Sequence, residues 1–259
     1  MNETISVIEN RKSIRNYAPT PLTLEEKDTI LHAAMRAPTA GNLMLYSIIE
    51  IEDQLLKDRL AVTCDNQPFI AKAPLVLLFV ADYQRIYDYY QYCGVEQLCA
   101  ERGITPHPPQ EGDMLLACCD ALIAAQNAVI AAESLGIGSC YIGDILEKYE
   151  VHRELLQLPP YVLPITLLCF GHPAVEKTEK RLTPRYDQQF VVFKNSYHHL
   201  TPDDFEAMMK STAEHNLPEI PLSEAVKTLG EKIYFRKFVS EFSVEMTRSV
   251  REMMKNWSG

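Results

Sequence analysis

Apolar residues recur along this chain in two ways. Spaced three to four apart they mark helices, and in short unbroken runs they mark strands buried on both faces. Residues 3–10, with Ile5, Val7 and Ile8, read as a short helix. Ile30, Leu31, Ala34 and Met35 form a helical stripe over residues 24–36. Thr23 with Glu26 three positions on is a capping box, and Pro38 ends the helix. "LMLYSIIEI" predicts a strand near 44–51, and "LKDRLAVTC" a helical turn. "APLVLLFVAD" predicts a buried strand over 74–81, opened by Pro74.

The strongest helical signal covers 113–135, with Gly136 as its C-cap. It is apolar on nearly every face, so it is expected to be buried all round, as a central helix that a second subunit can share. Asp113, Asp120, Gln126, Asn127 and Glu133 make it a poor membrane span. Ahead of it, 84–111 shows no regular pattern and is expected to be an irregular lid or pocket rim. Its Tyr87, Tyr89, Tyr90 and Tyr92 either line an aromatic-tolerant pocket or simply pack. Beyond it, "SCYIGD", residues 164–170 and "QQFVVFKN" predict three strands, and 203–214 and 223–256 predict helices. The sum is a mixed α+β domain with a C-terminal helical extension.

Composition narrows the function. With 35 acids against 25 bases the formal net charge is −10, which argues against a broad nucleic-acid surface. The seven cysteines form no CxxC pair, which predicts reduced thiols, a cytoplasmic setting and no metal site. "MNETISVIEN" has acids where an export signal carries bases, so no such signal is expected. The seven histidines show no metal or triad spacing.

Against that acidic background stands "NRKSIRNYAP", where Arg11, Lys12 and Arg15 surround Ser13. In extended chain, Arg11, Ser13 and Arg15 share one face and suit a phosphate. The same run also serves as a solvated charge cluster at the end of the first helix. "RAPTAGNLMLY" offers Asn42 as donor and acceptor, or as plain turn chemistry. "DNQPFIAKAP" places Gln67 ahead of an apolar strand. "LGIGSCYIGD" frees backbone N–H groups at Gly136, Gly138 and Gly143. It is no dinucleotide fingerprint, because its glycines follow a helix instead of opening one. "EKRLTPRYD" is again basic, with Pro184 before Arg185.

"RKSIR", "APTAGNL", "QPFIAKAP", "GIGSCYIG" and "TPRYD", in that order, resemble the FMN-dependent nitroreductase family, in its oxygen-insensitive NAD(P)H nitroreductase and flavin reductase branch. The resemblance covers about residues 1–200 and implies an FMN-binding domain there, with 201–259 a helical extension on the same or the partner subunit. It implies a central, mostly antiparallel sheet flanked by helices, and a homodimer with FMN at the interface. The basic segment Arg11, Lys12, Ser13 and Arg15 would hold FMN, with Arg11 and Ser13 on the phosphate and Arg15 near the pyrimidine edge. Asn42 and Gln67 match polar contacts to the ring, and Ile142 and Gly143 match backbone contacts. Arg185, or Arg181 nearby, matches a second phosphate arginine. No amino-acid nucleophile is implied. NAD(P)H would reduce the flavin in a ping-pong reaction, and a nitroaromatic, quinone or flavin would take the electrons. The same fold also permits reductive dehalogenation, ene reduction or non-catalytic flavin binding. Two departures stand out. Leu43-Met44-Leu45-Tyr46 stands where many members continue Gln-Pro-Trp, and Thr183 where many have Lys.

Overall fold

The computed structural model describes residues 2–174, 182–213 and 228–258. The helices are α1 (Glu3–Asn10), α2 (Leu24–Met35), α3 (Gln54–Thr63), α4 (Phe69–Lys72), α5 (Gln84–Tyr92), α6 (Val95–Glu101), α7 (Glu111–Ser134), α8 (Tyr149–Leu155), α9 (Pro202–Ala213), α10 (Leu229–Lys237) and α11 (Glu241–Ser258). The strands are β1 (Tyr46–Glu50), β2 (Leu75–Asp82), β3 (Gly138–Ile142) and β4 (Val162–Gly171). They pair antiparallel in the order β1-β2-β4-β3, the antiparallel sheet that the family resemblance implies.

β2 reads as an unbroken apolar run because both of its faces are covered. Leu77 and Phe79 pack with Ile30 and Ala34 of α2 and with Ala121, Ala125 and Ala128 of α7. Val76, Leu78 and Val80 point the other way, into Leu60 of α3 and Ile70 of α4. The capping box on α2 is present, with Glu26 N–H donating to Thr23 Oγ1 at 3.2 Å and Thr23 N–H to Glu26 Oε2 at 2.7 Å.

Several expectations are corrected. α7 is not buried all round. Its alanines face the sheet, while Leu115, Leu116, Leu122 and Ile123 are exposed. Residues 84–101 are mostly helical, in α5 and α6. Ile86 of α5 packs against the cluster of Leu45, Tyr149 and Trp257, and Tyr87 stands edge-on to Tyr161, so tyrosines supply much of the buried side of α5. "QQFVVFKN" forms a single 3-10 turn at Gln188–Phe190, with Phe190 buried and Val191 and Val192 exposed. "LKDRLAVTC" is part of a ten-residue helix capped by Asp53, whose Oδ1 accepts from Leu56 N–H at 2.7 Å. Of the helix expected over 223–256, residues 223–227 lie outside the described residues, and the rest is split between α10 and α11.

The chain divides into two compact units, Met1–Glu179 with Glu245–Gly259, and Lys180–Val244. Within the first, the end of α11 docks on its own chain. Trp257 is 1% exposed, stands edge-on to Tyr161, and donates from Nε1 to the Gln110 carbonyl at 3.0 Å.

Candidate functional site

At Arg11 the backbone leaves α1 in an extended conformation. Ile14 N–H donates to Ser139 O at 2.9 Å, and Ser13 bridges Ser139 in parallel, so the basic segment is tied to the edge of β3 by one isolated bridge. Tyr17 fastens its end, with its hydroxyl donating to the Ile14 carbonyl at 2.7 Å. Ile14 is buried, and strand alternation turns Ser13 and Arg15 to the opposite side. The close approach requires glycine at 138, since a Cβ there would meet Ile14 at 2.6–2.9 Å. Arg15 is exposed, its guanidinium 5.9 Å from the Phe69 ring centre. The Cys140 thiol lies next to Ser13, and burial raises its pKa while Arg15 and Arg11 oppose the rise. Among the described residues, neither Arg11 nor Arg15 pairs with a carboxylate.

Gln67 follows two left-handed residues, Asp65 (φ 58°) and Asn66 (φ 50°). Its Nε2 donates to Cys64 O at 2.9 Å and to Asp144 Oδ2 at 2.7 Å. Ile142 is buried in the core at the end of β3. Gly143 is exposed, with open space where a side chain would stand. The structure thus brings segments 11–15, 67–69 and 142–144 together through Arg15–Phe69 and Gln67–Asp144. Asp144 and the buried Glu147 were not singled out by the sequence reading; their only signal is an i, i+3 acid spacing after Gly143.

Asn42 lies elsewhere in the same unit. Gly41, Asn42 and Met44 all have φ between 50° and 57°, a left-handed loop. The buried Asp120 carboxylate of α7 holds this loop by accepting from Ala40 N–H at 2.9 Å and Leu45 N–H at 3.1 Å. Arg85 braces it further, donating to the Met44 carbonyl and to Tyr46 O. The loop enters β1, which starts opposite Ala81, whereas Ser13 sits beyond β3 at Ser139, opposite Phe170 and hence at the Leu75 end of β2. Asn42 and the basic segment therefore occupy diagonal corners of the sheet within one copy. Arg185 belongs to the second unit, where its Nη1 donates to the Thr183 and Pro184 carbonyls. Arg181 lies outside the described residues.

The tyrosines divide in role. Tyr87 and Tyr90, with Tyr83, His107 and Asp113, line a cavity of about 270 Å³. Burial first, then the Asp113 carboxylate, pushes the Tyr83 hydroxyl up to about 12. Tyr89 and Tyr92 stack on each other, ring centres 6.5 Å apart, on the surface.

An antiparallel sheet backed by a long alanine-faced helix, with a basic segment along its β3 edge, defines an α+β protein. The chain belongs to the nitroreductase family, which it matches over residues 8–172. It is 38% identical to the FMN reductase (NADPH) of Bacillus subtilis over 213 residues, 82% of this chain and 80% of that one. It is 35% identical to the oxygen-insensitive NADPH nitroreductase of Salmonella typhimurium over 197 residues, 76% of this chain and 75% of that one. The structure of the NADPH:FMN oxidoreductase of Vibrio harveyi complexed with NAD+ superposes with a TM-score of 0.79 at 25% identity, covering 98% of each chain.

Proposed function

We propose that this protein is an FMN-dependent oxidoreductase that passes two electrons from NAD(P)H to an electron-poor acceptor, a nitroaromatic, a quinone or a free flavin. The observation that carries this reading is that, among the described residues, neither Arg11 nor Arg15 pairs with a carboxylate, on a segment clamped to β3 near Gln67 and the open Gly143. Arg11, Lys12 and Ser13 would take the phosphate, with Arg185 as a second arginine. Arg15, Gln67, Asn42 and the Ile142–Gly143 backbone would take the ring. Bound FMN would supply the two-electron chemistry, so no protein nucleophile is required. A fixed cation at Arg15 favours negative charge on a nearby ligand edge, which is what a reducible ring needs from its site. Phe69, under the Arg15 guanidinium, keeps that group in place without neutralising it.

The working form in this reading is a homodimer. A row of exposed Leu115, Leu116, Leu122 and Ile123 along a 24-residue helix is an apolar face that asks for a partner. The diagonal separation of Asn42 from the basic segment points the same way, because a second copy can supply the Asn42 loop that one copy does not bring near. All seven cysteines are free thiols, which supports a reducing, cytoplasmic setting. The relatives named as NADPH enzymes support the nicotinamide donor. The test is anaerobic addition of NADPH to the FMN-loaded protein. Rapid loss of the yellow colour, restored by a nitroaromatic or a quinone, is expected; a flavin that binds but does not bleach would show a binding protein instead.

A further inference from the structure

Between α5 and the start of α7 lies a cavity of about 270 Å³ that the flavin reading does not use. α5 builds one wall. Tyr83 is its N-cap residue, and Tyr87 and Tyr90 follow at i+4 and i+7, so the three side chains stand on one face. The second wall is the segment before α7, where Pro109 is buried and His107 exposed. Asp113, in the first turn of α7, completes the lining. Tyr90 and His107 are exposed, which puts them at the solvent side of the cavity.

The walls are held by the fold itself. Tyr83 N–H donates to the Tyr161 carbonyl at 3.0 Å, and Tyr87 stands edge-on to Tyr161, ring centres 5.2 Å apart. Tyr161 also meets Trp257 edge-on, and Trp257 Nε1 donates to the Gln110 carbonyl. Trp257, the single tryptophan of the chain, therefore ties α5 to the segment ahead of α7. Gln110 N–H donates to Asp113 Oδ2 at 2.9 Å and fixes the carboxylate. A pre-formed cavity loses little conformational freedom when it binds.

The chemistry of the walls selects the ligand. Asp113 is the only carboxylate lining the cavity, and no lysine or arginine lines it. Residues 83–113 carry five acids, Asp88, Glu96, Glu101, Glu111 and Asp113, against two arginines, Arg85 and Arg102. Arg85 is engaged elsewhere, with the Met44 and Tyr46 carbonyls and with Asp82. The local field is negative and disfavours a phosphate or a carboxylate. Tyrosine rings offer π faces, which attract cations, and most strongly desolvated ones. Pro108 and Pro109 add apolar surface without an N–H donor. The volume falls just below the range of about 300–1,000 Å³ usual for drug-sized ligands, so it suits a compact group.

We propose that this cavity binds a small alkylated ammonium ion, its methyl groups against the rings of Tyr83, Tyr87 and Tyr90 and its charge facing Asp113. The inference stands apart from the flavin reading, and its test uses no flavin.

Choline is the probe, and its uncharged isostere, with carbon in place of nitrogen, is the control. Both are titrated into the full chain at pH 8, above the range in which imidazoles ordinarily titrate, and read by calorimetry and by Trp257 fluorescence. Choline should saturate at one per chain, shift the Trp257 emission, and bind about tenfold more tightly than the isostere. Asp113→Asn keeps an oxygen to cap α7 but removes the charge, and Tyr90→Ala removes one ring at the exposed rim. Each should weaken choline binding by about three- to tenfold and leave circular dichroism unchanged. Should one variant lose its fold, the other and the isostere still decide. No saturable choline binding, equal affinity for choline and its isostere, or parental affinity in the folded variants would each overturn the inference.

Discussion

Single side chains decide how this site answers to pH. His152 is buried and bonded through both ring nitrogens, to the Ile145 carbonyl and Thr63 Oγ1, and burial lowers its pKa. An imidazole with a lowered folded pKa binds fewer protons folded than unfolded. The stability it supports is therefore full above about 6.5 and is lost as pH falls from there toward its folded value. Glu147 acts with the opposite sign, costing stability as pH rises from about 4.5 toward about 7. Melting temperatures from pH 5 to 8 should separate the two: His152→Asn should melt lower but lose the acid-side dependence, and E147Q should lose the neutral-side one. A parent and an H152N variant with parallel profiles would refute the role given to His152. At this scale the sequence was partly legible. Arg11 and Arg15 announce themselves as cations in an acidic chain, whereas Glu147 and Asp120 look like ordinary acids until the fold buries them.

Among the elements, the basic strand depends on contact at Gly138. Its Ile14 fits only because no side chain stands there; an added methyl would lie 2.6–2.9 Å from three Ile14 carbons. Gly138→Ala should push residues 11–15 off β3, cost about 1–3 kcal/mol as an overpacking change, and weaken FMN binding, read by thermal melting and fluorescence quenching. Unchanged FMN affinity in a folded G138A protein would show that this docking does not shape the site. The regular elements with clear periods, α2, β2, β4 and α7, were legible because each buries a patterned face. α5 was not, since tyrosines among polar residues supply much of the side that packs on the core, where only Ile86 is aliphatic. "QQFVVFKN" misled because its apolar residues suit a strand but find no strand to pair with among the described residues.

For the whole molecule, one helix carries two jobs. The alanine face of α7 packs under the sheet and its Asp120 fixes the Asn42 loop, while Leu115, Leu116, Leu122 and Ile123 face outward. Uniform hydrophobicity hid this division, because a helix buried on every face and one with an exposed apolar stripe read alike in sequence. If the proposed homodimer forms through this face, Leu122→Asp should convert it to monomers in sedimentation velocity and lower FMN retention, since the Asn42 corner of one copy would then be parted from the basic corner of the other. A monomeric L122D protein that held FMN as tightly as the parent would show that each copy binds the cofactor alone.

The central claim is that the unpaired Arg11–Ser13–Arg15 face grips the phosphate of FMN. Titration of the purified protein with FMN, read by fluorescence quenching and repeated on Arg11→Ala, tests it directly. The parent should saturate at one FMN per chain, and R11A should bind about 10–100-fold more weakly, the loss of charge-assisted bonds worth about 1.5–3 kcal/mol. Equal affinity for FMN in the parent and in R11A would contradict it.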